Sequence, residues 1–182
     1  MTQNLIPLEA PYPADVAKVL TSYPQTDGYI LKLFRTFATS MRFLTKCVPN
    51  LLDKESPLSL RDREIVILRV TANRNCEYEW GVHVSIFSKA ANLTADQVCA
   101  SRLGTATDAA WQDGDQTLVG VVDALCSEGR LPDILQAAFQ THWDPAQQLE
   151  VMALCGTYQT ISFVANVAHL DGEEFGAKFP TN

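Results

Sequence analysis

Between Glu150 and Asp171 lie 20 consecutive residues with no Asp, Glu, Lys or Arg, and this run constrains the fold of the 182-residue chain more than any other. It is long enough to span a bilayer, but Thr157, Gln159, Thr160, Ser162, Asn166 and His169 interrupt it and no basic flank orients it. Asp144, Pro145 and Gln147 supply N-cap, N1 and N3 of a helix reaching about Leu170. That helix carries Val151, Leu154 and Ile161 on one side and Met152, Phe163 and Val167 on another. A helix apolar all round must be covered all round. A small monomer rarely provides such cover, so the run implies a helical bundle that assembles as a homo-oligomer.

The other periodic segments are helical too. Ala14 to Ser22 is a short amphipathic stretch. Gly28 to Val48 reads as one helix, with Ile30, Leu31, Phe34, Phe37, Ala38, Met41 and Leu44 recurring at three and four residues before Pro49 closes it. A helix from about Ser59 to Asn75, capped by Ser59 with Asp62 three residues on, precedes one from about Cys76 to Ala91 that ends at Asn92. Thr94 and Gln97 form a capping box for a further short helix. Asp113 or Gly114 opens an apolar-periodic run to Cys126, and Pro132 stands where a first helical residue belongs. Leu103 to Asp113 is a loop between helical halves, not a domain boundary. No five-residue stretch alternates with period two between strand-like bounds, so the chain reads as all-α, a single domain over residues 1–182.

Composition narrows the function. Hydrophobic residues at 47% and charged residues at 19% exclude wholesale disorder. A net charge of -7 with no basic stripe argues against nucleic acid and against a membrane surface. The five cysteines, Cys47, Cys76, Cys99, Cys126 and Cys155, are scattered, odd in number and without a CxxC pair. MTQNLIPLEAPYP lacks the basic start and apolar run of a signal peptide. Together these point to the reducing cytoplasm.

The chemistry is concentrated between Glu64 and His83, at spacings Glu-x11-Cys-x2-Glu-x3-His. Cys76, Glu79 and His83 fall at i, i+3 and i+7 on one helical stripe, and Glu64 reaches them from the preceding helix. His83 is a proton-transfer group or a hydrogen-bonded core histidine. Glu64, among Ile65, Ile67 and Leu68, is a desolvated base-like carboxylate or the partner of Arg61. Cys76 at a helix N-terminus is a thiolate favoured by the dipole, or a small apolar residue. Glu79 is an acid–base group or an i,i+4 partner orienting His83. Trp80 and Phe87 line the pocket or the core. His142 and His169 read as solvated. A metal site from Glu64, Glu79 and His83 matches no established ligand spacing, and no metal or cofactor is expected.

LSLRDREIVIL (Leu58 to Leu68), NCEYEWGVH (Asn75 to His83), the capped helix after Leu93 and Thr94, and the closing QLEVMALCGTYQTISFVANVAHL together resemble the carboxymuconolactone decarboxylase and alkylhydroperoxidase D family. The resemblance covers about residues 28–175, with Tyr158 and Asn166 at the family's closing-helix tyrosine and asparagine. It implies an alkylhydroperoxidase D-like domain of six to eight helices, assembled as a dimer, trimer or hexamer. Redox members carry Glu-x11-Cys-x2-Cys-x3-His; here the second thiol position is Glu79. A carboxylate cannot resolve a sulfenic acid, so dithiol cycling at this site is excluded.

The resemblance then implies a cofactor-independent enzyme of the decarboxylase kind, acting on a carboxylated lactone or related oxo-acid. His83 would be its acid–base group, Glu64 its tuning partner, and Glu79 and Cys76 companions. Arg69 or Arg74 would hold the substrate carboxylate, and Trp80 and Tyr158 would contact the substrate. Two alternatives stand beside this reading. One is a one-cysteine peroxidase, Cys76 attacking peroxide and an external thiol resolving it. The other is a catalytically silent helical binding module.

Overall fold

The computed structural model describes residues 5–181. The segment read above for a leader begins with residues 1–4, which lie outside that range. The fold is all-α. Among the described residues there are nine helices: α1 (Ala14–Leu20), α2 (Lys32–Phe37), α3 (Met41–Lys46), α4 (Leu60–Asn73), α5 (Glu77–Phe87), α6 (Ala95–Leu103), α7 (Asp113–Glu128), α8 (Asp133–His142) and α9 (Pro145–Val167). One two-residue antiparallel ladder, β1 (Gln25–Thr26) against β2 (Tyr29–Ile30), turns at Asp27 and Gly28, both at positive φ.

The molecule is built around α4. Every residue from Glu64 to Ala72 is buried, because α5, α6, α7 and α9 all pack against this helix. Polar side chains inside such a ring must be satisfied. Thr71 Oγ1 donates to the Ile67 carbonyl at 2.8 Å, and Arg69 is forked onto Asp123 of α7 through Nε (2.6 Å) and Nη2 (2.8 Å). Glu64 turns toward α5.

The expected helix over residues 28–48 is broken. The turn at Asp27–Gly28 takes its first residues into the small ladder, and α2 ends at Phe37. Thr39 then spends its hydroxyl on the Thr36 carbonyl (2.8 Å) and Ser40 caps α3 by accepting from the Phe43 amide. Hydroxyl residues that bind local backbone in this way compete with helix continuation. Ser59, Thr94 and Asp144 cap α4, α6 and α9, the last two as full capping boxes. Pro132 is the N-cap of α8, and α7 runs two residues past Cys126 to Glu128, where Gly129 in the left-handed conformation stops it.

Beyond α9 the chain forms an extended strap. Glu173 is buried; its Oε1 accepts from the Lys32 amide (3.0 Å) and from Tyr78 Oη, and its Oε2 from Tyr29 Oη (2.6 Å). The strap then crosses the outer face of α5: the Ala177 amide donates to Gly81 O (3.1 Å) and Ser85 Oγ (3.0 Å), and Phe179 packs on Trp80. A Cβ on residue 81 would stand 2.1 Å from the Ala177 carbonyl oxygen, which is why glycine lies mid-helix there. No described helix is long and apolar enough to cross a membrane, although α9 has 23 residues.

Candidate active site

Glu64 lies in the second turn of α4 and points at α5. On α5 the helical repeat brings Glu79 and His83 to the same face, i and i+4. Tyr158 closes the group from the middle of α9. His83 Nδ1 is 2.8 Å from Glu64 Oε2; its Nε2 is 3.1 Å from Tyr158 Oη and 3.5 Å from Glu79 Oε1. Phe87 lies against the imidazole at 5.2 Å between ring centroids, and Tyr158 meets it edge-on, also at 5.2 Å. All four polar side chains are enclosed: His83 is 3% exposed, Glu64 1%, Tyr158 4% and Glu79 5%. Both imidazole nitrogens are therefore engaged, whereas Glu79 Oε2 is sealed from solvent with no hydrogen-bond partner.

Electrostatics decides what the imidazole does. Burial alone pushes the His83 pKa down, but the charge and hydrogen bond of Glu64, with Glu79 behind, raise it to about 10. At neutral pH the site therefore holds an imidazolium between two carboxylates. Burial, then the charges of Glu79 and Glu64, keep the Tyr158 phenol well above its ordinary range, so it stays protonated.

Of the two readings of Cys76, a dipole-favoured thiolate and a small apolar residue, its surroundings favour the second. It is the N-cap of α5, where the dipole favours thiolate, but it is fully buried, and burial pushes the thiol up to about 11. Desolvation outweighs the helix end. Cys76 lies one turn before Glu79 with Ser162 of α9 beside it.

Two expected substrate contacts lie elsewhere. Trp80 is one residue past Glu79, about 100° round the helix, and turns away from the cluster. It packs with Leu68 and Ala72 in a separate core, its Nε1 donating to Ser101 Oγ at 3.0 Å. Arg74 donates through Nη2 to the Cys126 carbonyl (2.6 Å), and its own carbonyl accepts from Asn166 Nδ2 (2.8 Å). Arg69 is held by Asp123. Neither arginine reaches His83 to hold a substrate, since α4 turns Arg69 toward α6 and α7 while Arg74 sits beyond its end. Among the described residues no group of three or more His, Cys, Asp or Glu side chains is arranged to hold a metal ion.

The sequence reading passed over Arg63, Ser162 and Glu173. Arg63 stands beside Glu64 inside the LSLRDREIVIL motif, and its charge acts on Tyr158. That adjacency was the available signal. Ser162 is one helical turn after Tyr158. Nothing in the pattern around Glu173 marks it as a hub.

Residues 38–114 match the model of the carboxymuconolactone decarboxylase family. The match covers this stretch and not the rest of the chain. It holds Glu64, Cys76, Glu79 and His83 and stops before Tyr158, which the family-like segment recruits from α9. The whole fold is similar to the crystal structure of an uncharacterized peroxidase-related protein from Silicibacter sp. TM1040, with a TM-score of 0.77 over 99% of this chain and 100% of that one. At 14% identity that likeness concerns the fold. A search of curated proteins finds no match.

Proposed function

We propose that the protein is a cofactor-independent enzyme that moves a proton, or releases CO2, on a small carboxylated lactone or oxo-acid. The family match supports a catalytic ancestry. The observation that carries the reading is the distribution of free valences in the cluster: both His83 nitrogens are occupied, and Glu79 Oε2 is not. In this reading Glu79 takes the proton from the carbon next to a substrate carbonyl. The Tyr158 hydroxyl, its oxygen accepting from the imidazolium, faces the oxyanion that develops, and Glu64 holds the imidazole in its charged form. In a decarboxylation the C–C bonding pair passes to the same enolate as CO2 leaves, and an acid of the cluster protonates the carbon.

The second reading is a one-cysteine thiol peroxidase at Cys76, which the peroxidase-related structural neighbour favours. It asks a fully buried thiol with a raised pKa to act as the thiolate nucleophile, and the first reading does not. The reducing cytoplasm and a homo-oligomeric state belong to the same proposal.

The test is a paired assay of the purified protein: CO2 release and α-proton exchange on lactone and oxo-acids, against peroxide consumption with a dithiol. We expect turnover in the first that survives Cys76→Ser and is lost in Glu79→Gln. Peroxide turnover abolished by Cys76→Ser would replace this reading with the second. Absence of turnover in either assay would leave a binding module.

A further inference from the structure

The site already contains two carboxylates and one imidazolium, so an organic acid entering it needs a further cation. Four arginines of the α4 region could supply one, and the structure separates them. Arg61 is paired with Asp115 through Nη2 at 2.5 Å. Arg69 is spent: its Nε and Nη2 grip both oxygens of Asp123 while Nη1 donates to the carbonyls of Ser101 (3.1 Å) and Gly104 (3.0 Å). Arg74 also has a buried Nε without a partner, but its Nη2 is given to the Cys126 carbonyl, so its side-on edge is not free. Arg63 differs from the others. Its Nη1 donates to the Asp53 carbonyl at 2.9 Å, in the irregular segment that precedes α4. Among the described residues no carboxylate lies within ion-pair distance of it, and its Nε is sealed from solvent without a partner.

The open side of Arg63 is the one that matters. A guanidinium grips a carboxylate side-on through Nε and Nη2, two parallel donors matched to two oxygens. Arg69 shows that grip within this molecule, on Asp123. In Arg63 the same edge has no partner, and the residue sits next to Glu64 and close enough to Tyr158 for its charge to be felt there. A buried Nε–H without an acceptor is unfavourable until an acceptor arrives.

We propose that Arg63 is the anion-holding residue of this site, its Nε–Nη2 edge gripping the carboxylate of a small organic acid that lies against Tyr158 with its reacting carbon toward Glu79. The inference rests on the proton-transfer reading for the location of the reacting end. The carboxylate grip itself can be tested without turnover.

The experiment follows the ring signals of His83 by NMR as levulinate, a small keto acid, is titrated into the intact protein; the chain has only three histidines to assign. Levulinamide, the neutral isostere, is the companion ligand. We expect a saturable shift with levulinate, and binding of levulinamide weaker by at least about ten-fold, the scale of one charge-assisted contact. Arg63→Gln should weaken levulinate by a similar factor and leave levulinamide unchanged. Arg63→Lys should retain part of the affinity, since it keeps the charge and loses the fork. Equal binding of acid and amide by the wild-type protein, no binding of either, or wild-type affinity in Arg63→Gln would each overturn the proposal. The acid-against-amide comparison needs no variant, so a poorly folded Arg63→Gln cannot mask the result. A loss of levulinate binding in Arg63→Gln without any turnover by the wild-type enzyme would refute the catalytic reading and leave the anion site standing.

Discussion

At the scale of single residues the molecule turns on His83 and the charges around it. Glu64 from α4, Glu79 from its own helix and Tyr158 from α9 face the imidazole. Because the folded protein binds this proton more tightly than the unfolded chain, the imidazolium contributes stability in full below its ordinary pKa near 6.5, and that contribution is lost as pH rises through about 10. Denaturant unfolding at several pH values should show stability falling across that window, at up to about 1.4 kcal/mol per pH unit. In His83→Gln the fall should flatten. That variant should also be less stable at neutral pH by about 3–5 kcal/mol, because two enclosed carboxylates lose the charge between them. A His83→Gln protein with the wild-type pH profile would show that the imidazole is neutral.

This cluster was half legible in the sequence. Glu64, Glu79 and His83 could be placed together because two periodic helices joined by a short turn leave little freedom of phase. The depth of burial was not visible. Cys76 occupies a position that favours thiolate by local rules, and complete burial of the thiol in the tertiary packing outweighs them. Trp80 lies one residue step, about 100°, round the helix from Glu79, and Arg74 falls past the end of α4, so neither reaches the cluster.

Among the elements, α5 has two masters: its inner face carries the candidate site and its outer face carries the strap. Gly81→Ala would gain about 1 kcal/mol in intrinsic helix propensity, yet its methyl would collide with the Ala177 carbonyl at 2.1 Å. The collision with backbone should win. We expect a lower Tm and new protease cleavage within residues 171–181, read by mass spectrometry. An unchanged Tm and cleavage pattern would mean that the strap does not bear on α5. Capped helices such as α6 and α9 were legible because their signals are local. The break after Phe37 was missed because an apolar repeat continues across it, and the hydroxyls of Thr39 and Ser40 that end the helix look unremarkable in a periodic count. The strap was missed because its contacts, from Glu173 to Tyr29, Lys32 and Tyr78, join distant parts of the chain.

For the whole molecule, the exposed side of α9 sets the expectation. Its inner face packs on α4, but Leu149, Met152, Phe163 and Val167 lie on the exposed outer surface, with Phe163 53% and Val167 68% exposed. A stripe of that kind on the longest helix calls for cover. We expect light scattering at micromolar concentration to give a multimer, and Phe163→Glu to shift it toward the monomer while circular dichroism stays helical. A monomeric wild-type mass would remove the case for assembly.

The enclosure of α4 also bears on how the chain reaches this state. Each of the helices that wall it in, α5, α6, α7 and α9, follows it in sequence. As the polypeptide leaves the ribosome, the most enclosed helix emerges before any of its covers, and the last of them is also the longest. Until α9 arrives, His83 can meet Glu64 but not Tyr158, and Ile65, Val66 and Ile67 have no complete shelter. Nascent chains stopped before α9 should therefore remain expanded or bound to chaperones, so that this protein folds late in its own synthesis and all at once.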